Sequence, residues 1–177
     1  IKTILYAGNI GSGQGLEMVL PTVAKRIGSR YHFLVIGGGG ASSKLINTIK
    51  SNNINNIEIL PPVKRENLIE YYKNADILFL HLNDIPAFRR VLPSKIFEYT
   101  ALRKPIVAGL SGYSAKFIVD NVPYATIFNP GDVDGCIDAI KKVASLEIDD
   151  KNIDTFVKKY SREKIMNKMA KHIFSLL

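Results

Sequence analysis

Along its whole length the chain alternates short apolar runs, rich in β-branched and aromatic residues, with stretches of helical spacing. The runs are "TILYAG", "YHFLVIG", "IEIL", "ADILFLHL", "PIVAG" and "YATIFN", each about the length of one strand. Several are apolar on both faces, which suits strands covered on both sides and not an antiparallel sheet with one wet side. Between them "GLEMVLPTVAKRI", "SSKLINTIKSN", "RENLIEYYKNA", "PSKIFEYTALR", "SAKFIVDN" and "GDVDGCIDAIKKVASL" carry helical periodicity, and a last helix is expected near residues 161–176. The fold class is therefore α/β: a Rossmann-like, doubly wound parallel sheet of about six strands with helices on both faces. Residues 147–154, "EIDDKNID", are expected to connect the sheet to the terminal helix.

A chain of 177 residues fits one domain, 1–177. The opening "IKTILYAG" has no Met and enters a strand-like run at once, so the chain is read as a piece of a longer protein. No apolar run approaches the roughly 20 residues that cross a bilayer. The single cysteine, Cys136, excludes an internal disulfide and suits a reducing compartment, so a cytoplasmic location is expected. Of the net charge of +8, residues 151–177 hold seven Lys or Arg against Asp154 and Glu163, a surplus of five. Two readings stand for this tail: contact with an anionic surface, or the solvated face of a terminal helix.

In doubly wound sheets ligands sit beyond the carboxyl ends of the strands, where strand order reverses. Three loops there are unusual: "GNIGSGQG" after the first strand, "GGGG" after the second, and "NDIPAFRRVLPSK" after the fourth. The first lets the backbone approach a ligand just before a helix opens, a setting that suits a phosphate. It is not a nucleotide-triphosphatase loop, because Leu16 and Glu17 follow Gly15 where Lys and Ser or Thr are needed. It is a poor dinucleotide fingerprint too, since the glycines fall at 11, 13 and 15 and the second strand ends without an acidic residue. A ligand-free glycine turn remains the plain alternative.

The stretch "VLPSKIFEYTALRKPIVAG" places one carboxylate, Glu98, in an otherwise apolar helix. The helix dipole could stabilise it by roughly 0.3–1 kcal/mol with no further role. Alternatively, a carboxylate accepting from two vicinal hydroxyls, beside the N–H groups of Ser94 and Lys95 facing a diphosphate, describes a sugar-nucleotide site.

Taken together, "ILYAGNIGSGQGLEMVLPTV", "FLVIGGGG", "IEILPPVKRENLIEYYKNADILFL" and "PSKIFEYTALRKPIVA" resemble the C-terminal, donor-binding domain of retaining GT-B fold glycosyltransferases of family 4, the glycosyl transferases group 1. The closing "FVKKYSREKIMNKMAKHI" is similar to that family's terminal region. The resemblance implies that Glu98 binds the ribose hydroxyls, that the helix start at Ser94 and Lys95 faces the diphosphate, that Gly11 is the glycine of the first loop, and that Pro62 and Val63 lie where the base is received. It implies a nucleotide diphosphate sugar donor, UDP-linked, a missing N-terminal acceptor domain, a surface-polysaccharide or lipid-linked acceptor, and an isolated domain that binds without transferring. An N-acetylated amino sugar is the expected cargo. Peripheral contact with the inner face of a membrane is part of the same expectation, and nucleic acid is not.

The sequence departs from the family at two places. Arg90 stands eight positions before Glu98, where the family has the first glutamate of its pair, and Asn9 and Gln14 replace the Arg and Lys of the first loop. The charge is read as relocated to Arg89, Arg90 and Lys95, since a diphosphate in a partly buried cleft needs compensation. No catalytic residue is assigned. No cofactor or metal is expected: Asp132 and Asp134 in "NPGDVDGCIDAI" read as a turn and a capped helix start. His81 is expected to pack or hydrogen bond near the cleft, and Cys136 to be a small core residue. Two alternatives are carried: a nucleotide-sugar epimerase or hydrolase of the same fold, and a basic nucleic-acid-binding α/β module. The second predicts aromatic and basic residues interleaved on one exposed face, whereas the aromatics here sit inside apolar runs.

Overall fold

A computed structural model describes residues 1–146, 148 and 150–175. Six strands, β1 (Lys2–Asn9), β2 (Tyr31–Gly38), β3 (Ile57–Leu60), β4 (Ile77–His81), β5 (Ile106–Gly109) and β6 (Ala125–Phe128), form one sheet in the order β3-β2-β1-β4-β5-β6. All five pairings are parallel. The order reverses between β1 and β4, which are joined at Ile4–Ile77 and Leu5–Leu78. The loops leaving those two strands therefore flank the switch point.

Each strand alternates its side chains between two cores. Ile4, Phe33, Ile77 and Phe79 point to one face, against α1 (Leu16–Ile27), α2 (Ser42–Ser51) and α6 (Val133–Val143). Leu5, Ile36, Leu78 and Ile106 point to the other, against α3 (Arg65–Asn74), α4 (Lys95–Ala101) and α5 (Gly112–Asn121). The helices dock because their apolar residues share a side: in α1, Leu16, Val19, Leu20, Val23 and Ile27 are buried at spacings of three and four. In α6 the Asp132 side chain caps the helix by accepting from the Gly135 N–H at 2.9 Å, as expected, and Cys136 is fully buried in the first core. Burial pushes its thiol up to about 12.

Residues 147–154 differ from their expected role as a connector. Glu147 and Asp149 lie outside the described residues, but Asp150 opens a helix of its own, α7 (Asp150–Lys159). Its Ile153 and Phe156 are buried, and Phe156 joins Phe97, Phe117 and Tyr160 in an aromatic cluster that covers the α4–α5 layer. Only two described residues of this helix, Ile153 and Phe156, are buried apolar ones, which is why its charged sequence hides it. The terminal helix α8 (Arg162–Phe174) starts at a Ser161 cap, as the spacing predicted, and every residue from 162 to 175 is exposed.

Candidate functional site

Beyond the carboxyl ends of β1 and β2 lies a cleft of about 310 Å³. Its floor is backbone. Gly8 and Gly37 face each other in register, and a Cβ on Gly37 would stand 1.8 Å from the Gly8 carbonyl oxygen. Gly37 also has φ +154°, a conformation side chains avoid. The "GGGG" run thus lets two strand ends approach closely and leaves a shallow, side-chain-free surface. Ile36, Pro62, Val63 and Leu68 form an apolar wall beside it, and Asn9 and Lys95 bring the polar groups.

Lys95 reaches over Gly8 from the first residue of α4. Partial burial lowers its pKa, and the negative charge of Glu98 partly offsets that shift. The arrangement is a desolvated ammonium at the edge of a flat, mostly apolar slot, which suits a planar ring bearing an anionic tail. The N–H groups of Ser94 and Lys95 have no acceptor among the described residues, and α4 begins with no side-chain cap. They are open donors at the start of the helix that carries Lys95.

The other expected site residues are distributed unevenly. Glu98 is exposed and does not line the cleft, though its charge is felt by Lys95 and Tyr72. Asn9 donates from Nδ2 to Gln14 Oε1 at 2.9 Å, and the Gly11 N–H donates to the same oxygen at 3.1 Å. These two amide side chains thus lock the loop onto itself. Arg89 is committed elsewhere: its Nε and Nη2 each donate at 2.7 Å to one oxygen of Asp84, which also accepts from Ser111 Oγ. These hydrogen bonds hold the Asp84 carboxyl down at about 2. Arg90 is exposed on the short 3-10 turn Phe88–Arg90 and, like Arg89, does not line the cleft. The structure therefore gathers Asn9, Pro62, Val63 and Lys95 in one cleft, attaches Gly11 and Gln14 to it through Asn9, and keeps the two arginines outside its lining.

Two residues outside the expected set shape the same region. His81 is fully buried, its Nδ1 2.6 Å from the Gln14 carbonyl and its Nε2 accepting from the Gly131 N–H at 3.2 Å. Both ring nitrogens are occupied by a neutral tautomer, and burial lowers the pKa from its ordinary 6.5. The ring stacks on Phe79 and Phe128, so the hydrogen-bonding and packing expected of it are both present. Asn83, in the loop after β4, donates from its backbone N–H to the Gly13 carbonyl at 2.9 Å and from Nδ2 to the Ser12 carbonyl at 2.6 Å. Its position inside "NDIPAFRRV" was the only signal in the sequence. Asp134 pairs with Arg26 rather than facing the cleft.

A family model described as glycosyl transferases group 1 matches residues 2–163. The chain belongs to the glycosyl transferases group 1. Among relatives of this family, WcaI of Escherichia coli (strain K12), named as a colanic acid biosynthesis glycosyl transferase, is 29% identical over 113 residues. That match covers 64% of this chain and 28% of WcaI. The fold is that of GT-B glycosyltransferases: Anabaena HepE, crystallised in complex with UDP, superposes with a TM-score of 0.79 at 13% identity over 98% of this chain and 48% of HepE. TarM of S. aureus, in a complex that includes UDP, gives 0.76 at 16% identity over 96% of this chain and 35% of TarM. The chain thus spans about half or less of the length of each of these three proteins.

Proposed function

We propose that this domain holds the nucleotide diphosphate sugar of a retaining hexosyl- or aminohexosyltransferase that builds a surface polysaccharide or a lipid-linked glycan. The observation that carries the reading is the cleft at the switch point, where one desolvated ammonium, Lys95, stands beside an apolar slot and two open backbone N–H groups. In this reading the base lies against Pro62 and Val63, the diphosphate meets Lys95 and the amides of Ser94 and Lys95, and Glu98 turns toward the ribose hydroxyls once they arrive. Uridine is favoured because relatives of the same fold are recorded with UDP and with UDP-glucose. An acceptor within a surface polysaccharide is favoured by the name of WcaI.

The chemistry assigned to this half is electrostatic. As the bond from anomeric carbon to diphosphate breaks, negative charge grows on the leaving oxygens, and preorganised donors in a partly dry cleft stabilise that charge more than water does. Lys95 supplies the cation that faces this charge. The acceptor and the rest of the machinery belong to a further domain, so the isolated domain binds donor and leaves it intact. Among the described residues no helix is long and apolar enough to cross a membrane. The exposed basic helix α8 favours cytoplasmic action at an anionic lipid surface.

Calorimetry with UDP, GDP, ADP and uridine tests the reading. UDP is expected to bind, with Glu98→Ala weakening both UDP and uridine. Absence of binding by every nucleoside diphosphate overturns it. Product analysis on the full-length protein then separates transfer from hydrolysis or epimerisation of the donor.

A further inference from the structure

The two loops at the switch point are tied together by one side chain. Asn83 Nδ2 donates to the Ser12 carbonyl at 2.6 Å, and the Asn83 N–H donates to the Gly13 carbonyl at 2.9 Å. The same side chain is seated on Gly15, where a Cβ would stand 2.0 Å from Asn83 Oδ1. One residue later, the Asp84 carboxylate is gripped by Arg89 and Ser111, so the loop that carries Asn83 is itself anchored. Phe88, from the same loop, covers Gly13 on its other flank: a Cβ there would lie 2.8 Å from the ring.

This lacing fixes the direction of one peptide unit. In a planar trans peptide the N–H points opposite to the carbonyl of the preceding residue. With the Ser12 carbonyl turned onto Asn83, the Gly13 N–H points away from it. The next N–H, of Gln14, is used on the Gly11 carbonyl at 3.1 Å, whereas that of Gly13 has no acceptor among the described residues. We infer that Asn83 is a positioning residue which aims the Gly13 N–H at the diphosphate of the donor. The inference rests on the donor reading above and adds to it the device that holds the glycine loop in place of the basic residues absent at Asn9 and Gln14. A fixed N–H dipole needs no reorganisation when the anion arrives, and that is the benefit of holding it beforehand.

The test uses the full-length protein and compares UDP with uridine, which lacks the diphosphate. Asn83→Ala is expected to weaken UDP binding about tenfold, the value of one well-made hydrogen bond to a charged group, and to leave uridine unchanged. Asn83→Asp keeps the size of the side chain but turns an acceptor toward the Ser12 carbonyl, and is expected to lose at least as much. The UDP-to-uridine affinity ratio is unaffected by a fraction of unfolded protein, so a merely structural role would not move it. Independently of any variant, hydrogen exchange on the wild-type protein should show the Gly13 amide protected by UDP and not by uridine. Wild-type protein that binds UDP, with a ratio unchanged in both variants or without protection of Gly13, overturns this inference alone. Wild-type protein that binds none of UDP, GDP and ADP overturns the donor reading together with it, and where GDP or ADP binds in place of UDP the same ratio and protection are read with that diphosphate and its nucleoside.

Discussion

The side chain of Lys95 lies across Gly8, so that a Cβ on that glycine would stand 2.7 Å from Cε and 2.9 Å from Nζ. A residue on one helix and a residue on the central strand are thereby made dependent on each other. Gly8→Ala is expected to push the ammonium away and to strain a backbone held at φ +152°. We expect a loss of about 1–3 kcal/mol in stability and a weakening of UDP binding beyond what unfolding explains, read by denaturant titration and calorimetry.

Lys95→Met removes the charge and keeps much of the packing over Gly8. If this ammonium faces the diphosphate, UDP affinity should fall by about 1.5–3 kcal/mol, the range for hydrogen bonds to charged groups, while uridine affinity holds. Equal losses for both ligands, measured by calorimetry, would assign Lys95 to the base or to the fold instead.

Metal removal is expected to change nothing in UDP binding. The acidic pair Asp132 and Asp134 is engaged in structure: Asp132 caps α6 and Asp134 holds Arg26. Titrations with EDTA and with added magnesium should superimpose, and a magnesium-dependent rise in affinity would contradict the placement of Lys95 as the facing cation.

Stability should depend on pH through His81. Burial lowers its pKa in the folded chain below 6.5, so the unfolded chain binds the extra proton first. Its contribution is complete above about pH 6.5 and is lost as pH falls through the lowered value. Urea midpoints measured from pH 8 to pH 5 should decline below 6.5, and His81→Phe, which keeps the stack but not the bonds to Gln14 and Gly131, should flatten that decline.

Phe156→Ala should destabilise the domain by about 3–5 kcal/mol, the usual cost of emptying a buried aromatic site. The residue is 4% exposed and touches Phe97, Phe117 and Tyr160. A loss under 1 kcal/mol in chemical denaturation would mean that α7 docks loosely.

Strands and most helices were legible because their signal is local. A fully buried parallel strand such as Ile77–His81 reads as an apolar run, Ile77 to Leu80, and α1 displays its buried side at spacings of three and four. Helix α7 was not legible, since only Ile153 and Phe156 mark it among charged neighbours. The site divides in the same way. Lys95 was named from its loop, Pro62 and Val63 from the family resemblance, and the three meet in the cleft. The ties of Asn83, and the fit of Gly8 on Gly37, depend on strand order and register, which arise from pairings between residues far apart in the chain. Nor did the sequence reveal that Arg89 would be taken by Asp84, because a charge five residues away is a partner only if the loop folds back.

The sealed position of Cys136 makes the protein convenient to instrument. Its thiol, fully covered and held protonated up to about pH 12, will ignore maleimide dyes in the native state. A cysteine introduced at exposed Pro62 would then be the one reactive handle, and a fluorophore attached there would sit on the rim of the cleft and report its occupancy without background from the rest of the chain.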